Sequence, residues 1–212
     1  AAVGAPTTWV TDNHDNPRSV TRYAQDPHGP HARDVVAGAG GADLALGTRR
    51  ARAAAVLLLA LPGAAYLYAG QELGLPNVDD LPDDVLQDPV FARTGGQERG
   101  RDGCRVPLPW SGTSPPYGFS ADDVTTWLPM PADWSPLTVA AQDHDPGSTL
   151  SLYRRLLALR RAERDADGEL TVVVNLGRAP RPLPRGEVVI ASCREPLDGS
   201  LPPDTAAIVR RR

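Results

Sequence analysis

The sequence has few of the residues that build disulfide frameworks, zinc sites or basic nucleic-acid interfaces. Its only two cysteines, Cys104 and Cys193, show no metal-ligand spacing, which excludes a disulfide framework and a cysteine-based zinc site. It contains no lysine, and its 22 basic residues are arginines spread along a chain of net charge -4. Nucleic acid is therefore a disfavoured partner. We expect neither a metal nor another cofactor.

The sequence also lacks an uninterrupted hydrophobic segment of membrane-spanning length. The longest apolar run, 53–70, is divided by Pro62-Gly63 and closed by Gln71-Glu72, so we expect it to lie in a core rather than in a membrane. The N-terminus, AAVGAPTTW, has no initiator methionine and no signal-peptide features, and we expect it to begin within a longer protein. A reducing cytoplasm is the expected location, given so few cysteines.

What the sequence does contain is typical of a globular protein. Its 212 residues, 41% hydrophobic and 23% charged, suffice for one large domain or two small ones with a buried core.

The most informative stretch is TTWVTDNHDNPRSVTRY, residues 7–23. A short run of strand type, Trp9-Val10, ends in the polar cluster Asn13, His14 and Asp15. In a (β/α) barrel, residues just past the carboxyl end of a strand face the active site. A carboxylate, an imidazole and nearby arginines could bind sugar hydroxyls and support a cationic transition state. The alternative is a turn in which Asn13 or Asp15 caps the next helix.

A helix and a second strand follow. The composition of 26–47 is that of a loop, 48–61 predicts a helix with Thr48 as its N-cap, and Pro62-Gly63 ends it. The run 65–69 predicts a buried strand. Strand, helix and strand form a βαβ unit, which predicts a parallel pair joined by a right-handed crossover.

The segment 77–147 is proline-rich and shows no sustained periodicity. Loops of this length are uncommon unless they are functional, so it is a working loop or an insertion. Its piece GGQERGRDGCRVPLPW places Arg101, Asp102 and Arg105 before a rigid Pro-Leu-Pro-Trp. Arginine and tryptophan suit sugar binding. The alternative is a structural arginine–aspartate pair that fastens the loop to the surface.

The C-terminal part changes character. Residues 148–164 predict an amphipathic helix capped by Ser148. From about Gly168 onward, three β-rich runs separated by proline and glycine predict a small β domain. These runs are GELTVVVNLG, GEVVIASC and TAAIVRRR.

Taken together, the pieces resemble the α-amylase superfamily, glycoside hydrolase family 13, and most closely its bacterial α-glucosidases and oligo-1,6-glucosidases. The order and spacing of the matching stretches also agree with that family. They are WVTDNHDNPRSVTRY, ALPGAAYLYAGQELGLP, LPDDVLQDP, RTGGQERGRDGCRVPLPW and LYRRLLALRR.

The resemblance implies an α/β fold with two domains. Residues 1–167, which include the long loop 76–147, would form the last two βα units of a (β/α)8 TIM barrel. Residues 168–212 would form a truncated β-sandwich domain. Fewer strands than the family normally has separate the last helix from VVVNLG.

The resemblance makes Asp15 the catalytic carboxylate that stabilises the transition state. It implies substrate-binding roles for His14, Arg18, Asn13, Arg101 and Arg105. Val106 and Leu108 replace the threonine and methionine of the family's RTPMxW pattern.

The implied chemistry is retaining cleavage of α-glucosidic bonds in small maltooligo- or isomaltooligosaccharides. The family's nucleophile and general acid follow the fourth and fifth strands, ahead of NHD, so we expect neither here and expect the chain alone to be inactive. Glu72 is a poor substitute, because the family's equivalent turn carries a structural acidic residue. The expected partners are an α-glucoside and the missing N-terminal barrel half.

Three alternatives stay open. The chain could be a non-catalytic sugar-binding or assembly fragment, its parent could be a glucosyl transferase or isomerase such as trehalose synthase, or it could be a decayed reading frame that never folds stably.

Overall fold

The structure, a computed structural model, describes residues 4, 6–25, 43–162 and 169–211. In this part of the chain the strands and helices follow in the order β1 (Thr8–Val10), α1 (Ser19–Tyr23), α2 (Leu44–Ala60), β2 (Ala64–Tyr66), α3 (Pro89–Arg93), α4 (Val139–Asp143), α5 (Thr149–Ala162), β3 (Leu170–Asn175), β4 (Arg181–Pro182), β5 (Glu187–Ala191), β6 (Ser200–Leu201) and β7 (Thr205–Arg210). Three single 3-10 turns lie at Asp83–Val85, Asp102–Cys104 and Ser135–Leu137.

The predicted parallel pair is present. β1 and β2 run parallel, with Trp9 opposite Ala65 and α2 between them in sequence, as a βαβ unit requires. Gly63 makes the turn from α2 into β2 possible, because its φ is +108° and a side chain there would collide with the carbonyl oxygen of Thr7. The strand is shorter than predicted and ends at Tyr66 instead of Ala69.

The prediction for the start of α2 was wrong. The helix begins at Leu44, and Asp43 caps it by accepting the Leu46 N–H at 2.9 Å, so Thr48 lies inside the helix. Residues 43–47 thus do not belong to a loop, while 26–42 lie outside the described residues. The cap predicted for α5 is confirmed, since Ser148 Oγ accepts the Ser151 N–H at 3.1 Å.

The C-terminal β runs form the predicted strands. β7 is the central strand of an antiparallel sheet of order β3-β7-β5, and β4 pairs with β6. This sheet packs against the two long helices in one apolar core. The buried members of that core are Ala53, Ala55, Val56, Leu58, Leu59, Leu152, Tyr153, Leu156, Ile190, Ala206 and Ile208.

The helical part of the apolar run 53–70 lies in this core, but the prediction was wrong for the part after Pro62-Gly63, where Tyr66 and Leu67 are exposed. Within the described ranges, the structure contains no helix that is both long and apolar enough to cross a membrane.

The long segment after β2 encloses a second apolar core. Tyr117 is buried and its hydroxyl donates to the carbonyl oxygen of Pro131 at 2.9 Å, which joins two parts of the segment. Leu73 and Leu75 pack into the same core from the turn that follows β2. The segment is therefore folded onto the end of the parallel pair, even though it contains little regular structure.

Candidate active site

The predicted site lies at the carboxyl ends of β1 and β2. The polar triplet Asn13-His14-Asp15 begins three residues after β1 ends. The two strand ends are tied together, because Gln71 Nε2 donates to Thr11 Oγ1 at 2.7 Å. Side chains that follow β1 and side chains that follow β2 therefore meet at the carboxyl ends of the two strands. This is the position expected for a (β/α) site.

Asn13 shapes the turn that presents the triplet. Its Oδ1 accepts the N–H of Asp15 at 2.9 Å and Nδ2 of Asn16 at 3.0 Å. This is an Asx turn, so the turn interpretation describes Asn13 well. The turn uses the main-chain N–H of Asp15, so the carboxylate of Asp15 is available for other contacts.

Asp12 was missed by sequence reasoning, although it anchors the same turn. Its carboxylate is buried and accepts both the N–H and the hydroxyl of Ser19, at 3.1 and 3.0 Å, at the start of α1. Arg22 Nη2 also approaches it at 3.3 Å. Asp12 lies seven residues before Ser19, so it does not occupy a capping position that the sequence could have marked.

Asp15 presents a half-exposed carboxylate to three nitrogen-bearing side chains. Arg101 Nη1 donates to Oδ1 at 2.7 Å, and Arg105 Nη2 lies 3.6 Å from the same oxygen. His14 Nε2 lies 3.5 Å from Oδ2. Arg105 Nε also donates to the carbonyl oxygen of His14 at 3.0 Å, which fixes the loop against the turn. Four of the predicted residues are thus brought together.

A second carboxylate, that of Asp88, binds the same arginine, Arg101. The sequence did not predict this contact. The buried Asp88 accepts both the main-chain N–H and Nε of Arg101. The hydrogen bond from Arg101 lowers the pKa of Asp88 to about 2, so it stays ionised. The same pairing raises the pKa of Arg101 above its already high value.

Asp102 forms an arginine–aspartate pair of the kind that the structural alternative proposed, since its Oδ1 lies 3.8 Å from Arg105 Nη1. Its Oδ2 accepts the main-chain N–H groups of Gln87 and Asp88, at 2.6 and 2.8 Å. Asp102 therefore positions Asp88, Asp88 positions Arg101, and Arg101 reaches Asp15. The stretch LPDDVLQDP contained Asp88, but its burial was not visible in the sequence.

Arg18 lies behind the site. Its side chain is buried, and its two Nη atoms donate to the carbonyl oxygens of Ala69 and Cys104, both at 2.9 Å. Burial lowers its pKa, and the guanidinium stacks 5.1 Å from the ring centroid of Tyr68. Gly70 allows this approach, because a side chain there would meet Arg18 Nη1. Arg18 therefore ties β1, β2 and the 101–105 loop together.

Glu72 is engaged in the turn after β2, where its Oε2 accepts the N–H of Gly70 at 2.9 Å. This agrees with the structural role expected for it.

An open cleft of about 490 Å³ adjoins the site on the Asp88 side of Arg101. Asp15 and Arg101 line one part of it, and Asp79, Glu98 and Arg99 line another. Within the described residues, no group of three or more His, Cys, Asp or Glu side chains could hold a metal ion. The site thus offers one accessible carboxylate, an imidazole and two guanidiniums to a polar ligand such as a sugar.

Comparisons with known proteins show the family to which the chain belongs. Residues 4–167 match the model of the alpha amylase catalytic domain family, and residues 144–208 match a domain of unknown function, DUF3459. A probable alpha-glucosidase of Rhizobium meliloti (strain 1021) is 36% identical over 172 residues, covering 80% of this chain and 27% of the relative. Maltase 1 of Drosophila virilis is 31% identical over 173 residues, covering 79% of this chain and 23% of the relative.

Solved structures extend the likeness. The alpha-glucosyl transfer enzyme XgtA, 26% identical, matches with a TM-score of 0.65 over 96% of this chain and 40% of that one. A trehalulose synthase, MutB, matches with a TM-score of 0.69 over 96% of this chain and 43% of that one at 23% identity, which shows a common fold. The chain spans about a quarter of the length of the curated relatives it matches.

Proposed function

Since the chain belongs to the alpha-amylase catalytic-domain family, glycoside hydrolase family 13, we propose that it supplies one side of the sugar-binding site of a retaining α-glucosidase. The observation that carries this proposal is the half-exposed Asp15 carboxylate, held by Arg101 beside His14 and Arg105 at the carboxyl ends of two parallel strands.

In this proposal Asp15 hydrogen-bonds the sugar that becomes positively charged and stabilises its oxocarbenium-like transition state. His14, which is largely exposed, donates to a hydroxyl of the same sugar. Arg101 and Arg105 limit the mobility of Asp15 and face the departing group. Asn13 and Arg18 act as positioning residues, because their polar atoms are engaged in the turn and with main-chain carbonyls.

Retaining cleavage also needs a nucleophile and a general acid about 5–5.5 Å apart. The described carboxylates next to Asp15 suit neither role: Asp88 is buried and bound to Arg101, and Asp102 and Glu72 are bound to main-chain N–H groups. We propose that both groups come from sequence outside these 212 residues, and that the 212-residue chain binds α-glucosides without cleaving them.

The proposed substrates are small maltooligo- or isomaltooligosaccharides, because the curated relatives are named alpha-glucosidase, oligo-1,6-glucosidase and maltase. The likeness to XgtA favours a second candidate for the whole protein, transfer of an α-glucosyl group to another sugar. A third candidate is assembly with a separate barrel half. The exposed Val10 and Tyr66 at the ends of the parallel strands favour it.

The test uses 1-deoxynojirimycin, a cationic glucose analogue, as the ligand of the 212-residue chain. We expect Asp15→Asn to weaken binding by about ten- to hundredfold, because a charged hydrogen bond is lost. Asp133→Asn, an equal charge change at an exposed turn residue, should leave affinity unchanged. Equal affinities of the wild type and Asp15→Asn would overturn the proposed role of Asp15.

Hydrolysis of p-nitrophenyl α-glucoside by the same chain should not exceed the uncatalysed rate. Turnover that Asp15→Asn abolishes would show instead that the chain contains a complete catalytic apparatus.

A further inference from the structure

Trp127 borders the candidate site on its Arg105 side. Its indole Nε1 donates to the carbonyl oxygen of Arg105 at 3.2 Å. The guanidinium of the same arginine lies 3.6 Å from Asp15, and its Nε donates to the carbonyl oxygen of His14. Arg105 thus connects the tryptophan to the Asp15 carboxylate and to the main chain of His14.

The indole is held firmly although it is exposed. Its ring meets the ring of Phe119 edge to face, with centroids 5.2 Å apart. The next residue, Leu128, is fully buried, and Gln87 Nε2 donates to the carbonyl oxygen of Trp127 at 3.2 Å. Nevertheless 51% of Trp127 is exposed. A large ring fixed in this way loses little conformational freedom when a ligand covers it.

The other tryptophans differ from Trp127 in exposure or in connection to the site. Trp134 is buried in the second core, and Trp9 donates to the carbonyl oxygen of Pro62 beside the strand pair. Trp110 is as exposed as Trp127, at 49%, but the indole that donates to the carbonyl oxygen of Arg105 is that of Trp127.

We propose that the exposed part of Trp127 is a stacking platform for the second ring of an α-glucoside, the sugar or aryl group joined through the glycosidic oxygen. This inference rests on the proposed function, since it places the first glucose against Asp15 and His14. The apolar face of a pyranose would cover the indole, while Arg105 would meet the hydroxyls at the ring edge. Trp127 would then be a specificity-determining residue for disaccharides over monosaccharides.

The experiment is an NMR titration of the 15N-labelled 212-residue chain, whose four tryptophans give four indole signals. Tryptophan-to-phenylalanine variants assign the signals, and the ligands are methyl α-glucoside, with one ring, and maltose, with two. We expect maltose, but not methyl α-glucoside, to shift the Trp127 signal. Trp127→Ala should weaken maltose binding by about two- to tenfold and leave methyl α-glucoside binding unchanged.

Two further variants complete the design. Leu176→Ala, at an exposed leucine that has no place in the proposed site, should leave the affinity for both ligands unchanged. Trp127→Phe, which keeps a ring but loses the N–H, should give an intermediate maltose affinity and serves if the alanine variant fails to fold by near-UV circular dichroism.

The outcomes separate this inference from the proposed function. If the wild type binds both ligands, and the Trp127 variants either keep their affinity for both or lose affinity for both equally, the stacking platform is disproved. The proposed glucoside site then stands. If the wild type binds neither ligand, the proposed function fails and the platform fails with it.

Discussion

The helix–sheet core and the rim around Asp15 use the same side chain, arginine, in opposite ways. In the core region, the buried Arg52 donates to the carbonyl oxygen of Ser192 at 2.7 Å, and Arg160 donates to the carbonyl oxygens of Leu59 and Leu61. At the rim, Arg101 joins two carboxylates, Asp15 and Asp88. Arg52 and Arg160 thus fix the main chain in the first region, whereas Arg101 positions a charge in the second.

Burial follows the same division. Five of the six residues of β7 are buried, and Arg52, beneath the helices, has a pKa lowered to about 10 by burial. The rim instead keeps Asp15 and His14 accessible to solvent. Substitutions in the core should therefore act on stability, and substitutions at the outer rim should act on ligand binding.

The largest effect is expected for Leu152→Ala in the first turn of α5. Leu152 is fully buried in the helix–sheet core, so its truncation leaves a cavity and should reduce the free energy of unfolding by about 2–5 kcal/mol. Chemical denaturation followed by tryptophan fluorescence measures it. Leu176→Ala, at a leucine that is 84% exposed, should change it by less than about 0.5 kcal/mol. Equal losses of unfolding free energy in Leu152→Ala and Leu176→Ala would mean that the helix–sheet core does not form as described.

An intermediate effect is expected for Asp88→Asn, at the buried side of the rim. The ionised Asp88, with its pKa near 2 rather than the usual 3.8, stabilises the fold above about pH 4. This contribution disappears as the pH falls from about 4 to about 2. At pH 6 the variant should have a Tm lower by about 3–8 °C, because buried donors lose a charged acceptor.

The difference in Tm between the wild type and Asp88→Asn should shrink towards pH 2, where the wild type has also lost the charge. Asp133→Asn should follow the wild type throughout. A difference that stays constant with pH would show that Asp88 stabilises the fold without its charge.

The order of elements was predictable because turn residues mark it. Pro62-Gly63 separated a helix from a strand, and proline and glycine separated the β-rich runs, so β1, β2, α5 and the three main strands of the last part were found. The start of α2 was misplaced because Thr48 and Asp43 are both acceptable caps. Only the structure shows which of them accepts a main-chain N–H.

The site was predictable in part. The position after a strand singled out Asn13, His14 and Asp15, while the roles of Arg101 and Arg105 depended on the family resemblance. The contacts of Asp88 and Asp12 join segments distant along the chain or depend on burial, and no local pattern encodes them. For the same reason the sequence could not show that Arg18 faces main-chain carbonyls rather than the open site.

The smallest effect on stability is expected for Asp15→Asn, which shares its arginine with Asp88. Asp15 is half-exposed, and exposed ion pairs contribute little to folding. Arg101 would still be held by Asp88, so we expect Tm to change by less than about 3 °C at pH 6. Differential scanning fluorimetry of the Asp15→Asn, Asp88→Asn and Asp133→Asn variants measures the three effects together. A loss as large as that of Asp88→Asn would mean that both carboxylates belong to the folding core. A small loss of Tm in Asp15→Asn, together with weakened binding of the cationic analogue, would mean that Asp88 serves the stability of the fold and that Asp15 serves ligand binding.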